Sequence, residues 1–126
     1  ALYKADVNQF AALGDPARLR IVEQLATRDH TAGELSATVH QEFGISQPAA
    51  SRHLRVLREA GLVTSRIDGP RRIYSLDHEG VEAVGAWADR LHSLWSASFA
   101  ALETEVARGR RDRRPLSTPS PTGDPR

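Results

Sequence analysis

The chain has 126 residues, enough for one domain, with an ordinary globular composition of 40% hydrophobic and 26% charged residues. It contains no cysteine, which excludes disulfides, thiolate metal sites and thiol redox sensing. Seventeen Lys and Arg against sixteen Asp and Glu leave a net charge of +1. The longest stretch without a charged side chain, Leu91 to Leu102, is too short to cross a bilayer. The opening ALYKADVNQF lacks the apolar run of a signal peptide. A cytoplasmic protein with no membrane partner is expected, and the missing initiator Met points to processing or trimming.

Val7, Phe10, Ala11 and Leu13 recur at helical spacing and predict a short helix over 5–13, stopped by Gly14. Asp15 is a good N-cap, and Pro16 suits the first helical position, where its missing N–H costs nothing. The second helix then runs from Pro16 to about Thr27, with Leu19, Ile21, Val22, Leu25 and Ala26 as its apolar face. Thr31 and Glu34 form a capping box for a third helix containing Leu35, Ala37 and Val39. Gly44 ends that segment.

Ser46 caps a fourth helix, Pro48 falls in its first turn, and Gly61 closes it after Ala60. Its inward stripe is Ala50, Leu54, Leu57 and Ala60. Its outward residues are Gln47, Ser51, Arg52, Arg55 and Arg58, so one helix carries both an apolar and a basic face. The period then changes. Residues 62–67 and 72–76 are β-prone runs around the turn Asp68-Gly69-Pro70-Arg71, which predicts a hairpin with a basic tip. Asp77 caps a last helix to about Val106, roughly 45 Å long at 1.5 Å per residue. Its apolar stripe is Val81, Val84, Trp87, Ala88, Leu91, Leu94, Trp95, Phe99, Leu102 and Val106. One small domain cannot cover so long a stripe, so part of it is expected to pack on a second copy. Residues 109–126, GRRDRRPLSTPSPTGDPR, have no apolar period and read as a disordered Arg/Pro-rich tail. The domain proper is therefore 1–108.

The near-neutral total conceals a basic band. Residues 46–72 hold six Arg against Glu59 and Asp68, while the flanking segments 1–45 and 73–108 are net acidic. Such a band is the electrostatic footprint of a nucleic-acid surface. The predicted architecture is mainly α with a small β-hairpin, in the order α-α-α-α-β-β-α of a winged helix-turn-helix. The major groove of B-DNA admits one α-helix, and that helix needs polar residues outward and an apolar face to hold it in its domain. Residues 46–60 meet both demands.

Several segments resemble the ArsR/SmtB family of bacterial transcriptional regulators. They are LGDPARLRI at 13–21, Glu34-Leu35, SQPAASRHLRVLREAGLV at 46–63 and RIYSL at 72–76. The resemblance spans residues 7–106 in the family's order. It implies a homodimeric repressor, dimerised through its first and last helices, that binds a palindromic operator in double-stranded DNA. Val7, Phe10, Val84, Trp87, Leu91, Leu94, Trp95 and Leu102 are the dimer residues so expected. The family's base-reading positions fall on Gln47, Pro48, Ser51 and Arg52. Gln47 suits adenine and Arg52 suits guanine. Arg55, Arg66, Arg71 and Arg72 are cast as phosphate binders, which position without specifying.

The family's metal-sensing motifs do not carry over. The third helix lacks their cysteines, and Asp89 and His92 have the wrong spacing for the last-helix site. Trp87 and Trp95 are similar to a branch of the family without recognised metal ligands. No metal or cofactor is therefore expected. His78/Glu82 and Asp89/His92 could each offer two ligands, but scattered surface polar residues are the commoner outcome. The tryptophans serve either as dimer core or as the lining of a pocket for an unknown small-molecule effector. His53 serves either DNA contact or packing beside the helix-turn-helix. No phosphate-binding glycine loop or nucleophile motif supports an enzyme. The alternative from another class is a winged-helix protein-interaction module, which would need an apolar outer face on the fourth helix.

Overall fold

Asp15 and Pro16 divide the first two helices. In the computed structural model, which describes residues 2–112 and the side chains of 7–110, α1 spans Leu2–Ala12 and α2 spans Pro16–Thr27. The Asp15 carboxylate accepts from the backbone N–H of Ala17 and Arg18 at 2.9 and 3.2 Å, satisfying two of the orphan donors of the helix start. A two-residue strand, β1 (His30–Thr31), leads into α3 (Ala32–Phe43). Thr31 and Glu34 form the expected capping box. Gly44 takes the left-handed conformation, φ +70°, that ends α3 and turns the chain into α4 (Gln47–Glu59), capped by Ser46.

The hairpin follows as β2 (Val63–Asp68) and β3 (Arg71–Leu76), paired in register from Val63↔Leu76 to Asp68↔Arg71. Gly69 at φ +63° followed by Pro70 is the residue pattern of a type II′ turn. The sheet has three strands in the order β1-β3-β2, because His30 and Thr31 pair with Tyr74 and Ile73. The sequence pattern does not anticipate β1. Two residues are too few to leave a period, and their pairing is made entirely by β3.

The last helix, α5, spans His78–Asp112. It runs six residues past the expected end at Val106. The first four residues of the tail expected to be disordered, 109–112, thus continue the helix, and the rest of that tail lies outside the described residues.

The chain forms two units that divide after Ala88. The first has a core of Ile21, Leu25, Leu35, Val39, Ala50, Leu54, Leu57, Leu62, Val63 and Tyr74, with Ala12 and Ala17 closing it. The buried stripe of α2 is thus Ala17, Ile21 and Leu25, and Leu19 and Ala26, expected on the apolar face, are exposed. Helix α3 fully buries Leu35 and Val39, one turn apart, with Ala32 partly buried against the same core, while Ala37 faces out. This is a winged helix-turn-helix: α3, the short turn 44–46 and α4, followed by a β2–β3 wing. In the second unit, the described residues are the remainder of α5, on which Leu91, Leu94, Trp95, Phe99, Leu102 and Val106 are all exposed.

Candidate nucleic-acid interface

Helix α4 shows why its sequence serves two purposes. Ala50, Leu54 and Leu57, spaced four and three residues apart, are buried against the rest of the first unit. Gln47, Pro48, Ser51, Arg52, Arg55 and Arg58 lie on the exposed side. The exposed side is thus polar and basic, with no apolar patch of the kind a protein-binding helix would present. Ser46 Oγ accepts the backbone N–H of Ala49 at 3.3 Å and fixes the start of the helix, which brings Gln47 and Pro48 into its first turn.

The wing brings its arginines to one ribbon, each held by a neighbour. Arg66 donates from Nη1 to Asp29 Oδ2 at 3.1 Å and to Ser75 Oγ at 3.3 Å, tying β2 to the residue before β1. The Ser75 hydroxyl first, and Arg66 second, hold the Asp29 carboxyl below its ordinary value. Arg71 faces Asp68 across the turn at 3.3 Å, and Arg72 donates to Ser65 Oγ at 3.1 Å. All three arginines are exposed. Ile67, opposite Arg72, is 66% exposed and puts an apolar side chain among them. Its β-prone context concealed that exposure in the sequence.

The site also contains a connection that the sequence reading left open. His53 turns away from the exposed face and is only 19% exposed at its side chain. Its Nδ1 lies 3.0 Å from Arg18 Nη1, and its Nε2 lies 4.0 Å from Asp15 Oδ2. Arg18 Nε also donates to the carbonyl of Ala12 at 2.6 Å. His53 therefore packs between α2 and α4, the second of the two roles considered for it.

Residues 15–65 match the profile of bacterial regulatory proteins of the arsR family. The HTH-type transcriptional regulator Rv2034 of Mycobacterium tuberculosis is 37% identical over 79% of this chain and 90% of its own length. The chain belongs to the ArsR family. The transcriptional repressor SdpR of Bacillus subtilis is 36% identical over 56% of this chain and 73% of its own. A solved homodimeric winged helix-turn-helix DNA-binding domain, Mb0332 of Mycobacterium bovis, superposes with a TM-score of 0.59 at 26% identity. That match covers 74% of this chain and 82% of the other. This ArsR-family protein is a transcriptional regulator with a winged helix-turn-helix.

The residues expected at a dimer seam fall into separate groups in the regulator. In the first unit, Val7 is exposed, Val84 packs on the core, and Phe10 meets Trp87 edge-on with ring centroids 4.9 Å apart. In the second, Leu91, Leu94, Trp95 and Leu102 are exposed, and Trp95 stacks at a tilt on Phe99 at 4.8 Å. His78 lies 3.8 Å from Glu82. Among the described residues no three His, Asp or Glu side chains gather as a metal site. No described helix is long and apolar enough to cross a membrane.

Proposed function

We propose that this regulator acts in the cytoplasm as a homodimeric repressor of a palindromic operator. In this reading α4 enters the major groove, and Gln47, Pro48, Ser51 and Arg52 face base edges. Arg55, Arg66, Arg71 and Arg72 hold the adjacent phosphates. The observation that carries the reading is the division of α4 into a buried stripe of Ala50, Leu54 and Leu57 and an exposed face of Gln, Ser and Arg. Homodimerisation draws support from the exposed apolar residues of α5 and from the homodimeric Mb0332 domain. Repression draws support from the repressor SdpR. A two-fold axis would set the two recognition helices about 34 Å apart, one turn of DNA. Trp95, exposed on α5, supplies a fluorescent reporter for a small-molecule effector at that seam.

The test is selection from a random duplex pool at about 150 mM salt, followed by anisotropy titration of the enriched sequence. The expected result is a palindrome with half-sites one helical turn apart. A folded protein that enriches no motif would overturn the reading.

A further inference from the structure

The Arg18–His53 contact joins the helix that begins the core to the middle of the helix that faces DNA, across thirty-five positions of sequence. We propose that His53 is a positioning residue for base recognition, acting as the hydrogen-bond acceptor that sets the orientation of α4 through Arg18. This inference rests on the reading that α4 enters the major groove.

The chemistry assigns the direction of the bond. A guanidinium has N–H donors and no acceptor, so Arg18 Nη1 donates and the lone pair of His53 Nδ1 receives. The ring proton then sits on Nε2, on the side of Asp15 Oδ2 at 4.0 Å. Arg18 is itself fixed, because its Nε donates to Ala12 O and its own backbone N–H is capped by Asp15. The end of α1, the cap of α2 and the centre of α4 thus converge on the Arg18–His53 pair.

The apolar stripe beneath α4 resists separation but is weakly directional. Ala50, Leu54 and Leu57 hold α4 against the core by packing alone. A hydrogen bond from a fixed guanidinium adds a directional restraint at one point. Arg52 is the residue immediately before His53, and it lines the same cleft as Arg18, His53, Ala49 and Val56. A bidentate contact to a base edge demands close alignment, whereas a phosphate accepts a charge from many directions. Loss of the His53 acceptor should therefore harm selectivity before it harms general affinity.

The experiment compares His53→Ala, His53→Asn and His53→Gln on the selected operator duplex and on a scrambled duplex. The amide oxygen of Asn can stand where Nδ1 stands, whereas the amide of Gln reaches the position of Nε2. His53→Ala and His53→Gln should weaken operator binding about tenfold, the scale of one charge-assisted hydrogen bond, and scrambled binding less than about twofold. His53→Asn should stay within about threefold of the parent on both. Equal losses on both duplexes, no loss on either, or an Asn variant as poor as Ala would each overturn the proposal.

Arg52→Ala runs alongside. If it leaves selectivity intact, the reading of α4 has failed. If it abolishes selectivity while His53→Ala does not, the failure belongs to this inference alone. Should the variants not fold, the parent decides: ¹⁵N imidazole shifts near neutral pH should show an unprotonated Nδ1, and a protonated Nδ1 would overturn the assignment.

Discussion

Gly80, in the first turn of α5, lies directly against the backbone of Gly61, the residue that follows the cap of α4. A methyl group on Gly80 would collide with the Gly61 carbonyl and crowd the Leu62 Cα. The approach is held by Asp77, whose backbone N–H donates to Leu62 O at 2.8 Å and whose Oδ1 accepts from Glu79 N at 3.1 Å. The end of α4 and the start of α5 therefore share a backbone contact. Gly80→Ala should destabilise the protein by about 3 kcal/mol, at the upper end of ordinary overpacking, because the obstacle is backbone and cannot rotate away. Gly85, on the same helix, has open space around it. Its change to Ala should be neutral or stabilising by up to about 1 kcal/mol through helix propensity. Urea denaturation of both variants checks the pair, and similar midpoints would contradict the contact.

The capping box of α3 carries a pH signature. The backbone N–H of Thr31 is the main influence that holds the Glu34 carboxyl below its ordinary value of 4.5, with Arg28 and His30 adding to it. A carboxyl depressed in the folded state stabilises the fold above its unfolded value. That contribution disappears as pH falls through the lowered value. Glu34→Gln should thus flatten the fall of stability in the acid range below about pH 4.5. Asp29 is depressed in the same direction and should leave a residual slope. Thr31→Ala removes the reciprocal half of the box and should cost about 1 kcal/mol at neutral pH. Urea midpoints measured from pH 3 to 7 separate the two effects. An unchanged slope in the Gln variant would refute the assignment.

The parts of this fold that were legible in sequence are those whose signals are local. Ser46, Pro48 and Gly61 bracket α4, and the spacing of Ala50, Leu54 and Leu57 marks its buried side. Asp15, Thr31 and the Asp68–Arg71 turn are local in the same sense. What was not legible depends on partners distant in the chain. His30 and Thr31 become a strand only because Tyr74 and Ile73 lie beside them. Leu19 is in helical phase with Val22 and Ala26 but faces out, since the buried stripe of α2 runs through Ala17, Ile21 and Leu25 on another face. The pairing of Arg18 with His53, and of Arg66 with Asp29, leaves no mark on either neighbourhood in the sequence. Residue type made the α4 face readable as a candidate DNA-binding surface. The connections that orient it came only with the fold.

The exposed residues of the second unit offer a direct test of the proposed dimer. Leu94 is 67% exposed on α5. Burying such a side chain contributes about 1.5 kcal/mol or more, and two-fold symmetry counts it twice. Leu94→Asp should therefore weaken self-association about hundredfold or more. Sedimentation equilibrium should show the parent as a dimer and the variant as a monomer at micromolar concentration. A variant that remains dimeric would remove Leu94 from the seam.

The division of labour between α4 and the wing can be measured through salt. Arg52 lies on the exposed face of α4, where a base edge would meet it, whereas Arg71 lies at the hairpin turn beside Asp68. A phosphate contact releases counterions, so each one lost should flatten the slope of log K against log salt by about 0.9. Arg71→Ala, removed from both subunits of a dimer, should flatten it by about 1.8 and weaken operator and scrambled duplexes alike. Arg52→Ala should instead cost about 1–3 kcal/mol on the operator and much less on a scrambled duplex, since the lost contact is to a base. Anisotropy titrations of both variants between about 50 and 200 mM salt resolve the two patterns. Equal losses on both duplexes for the two variants would mean that Arg52, like Arg71, reads no base, and the base-reading role proposed for α4 would fail with it.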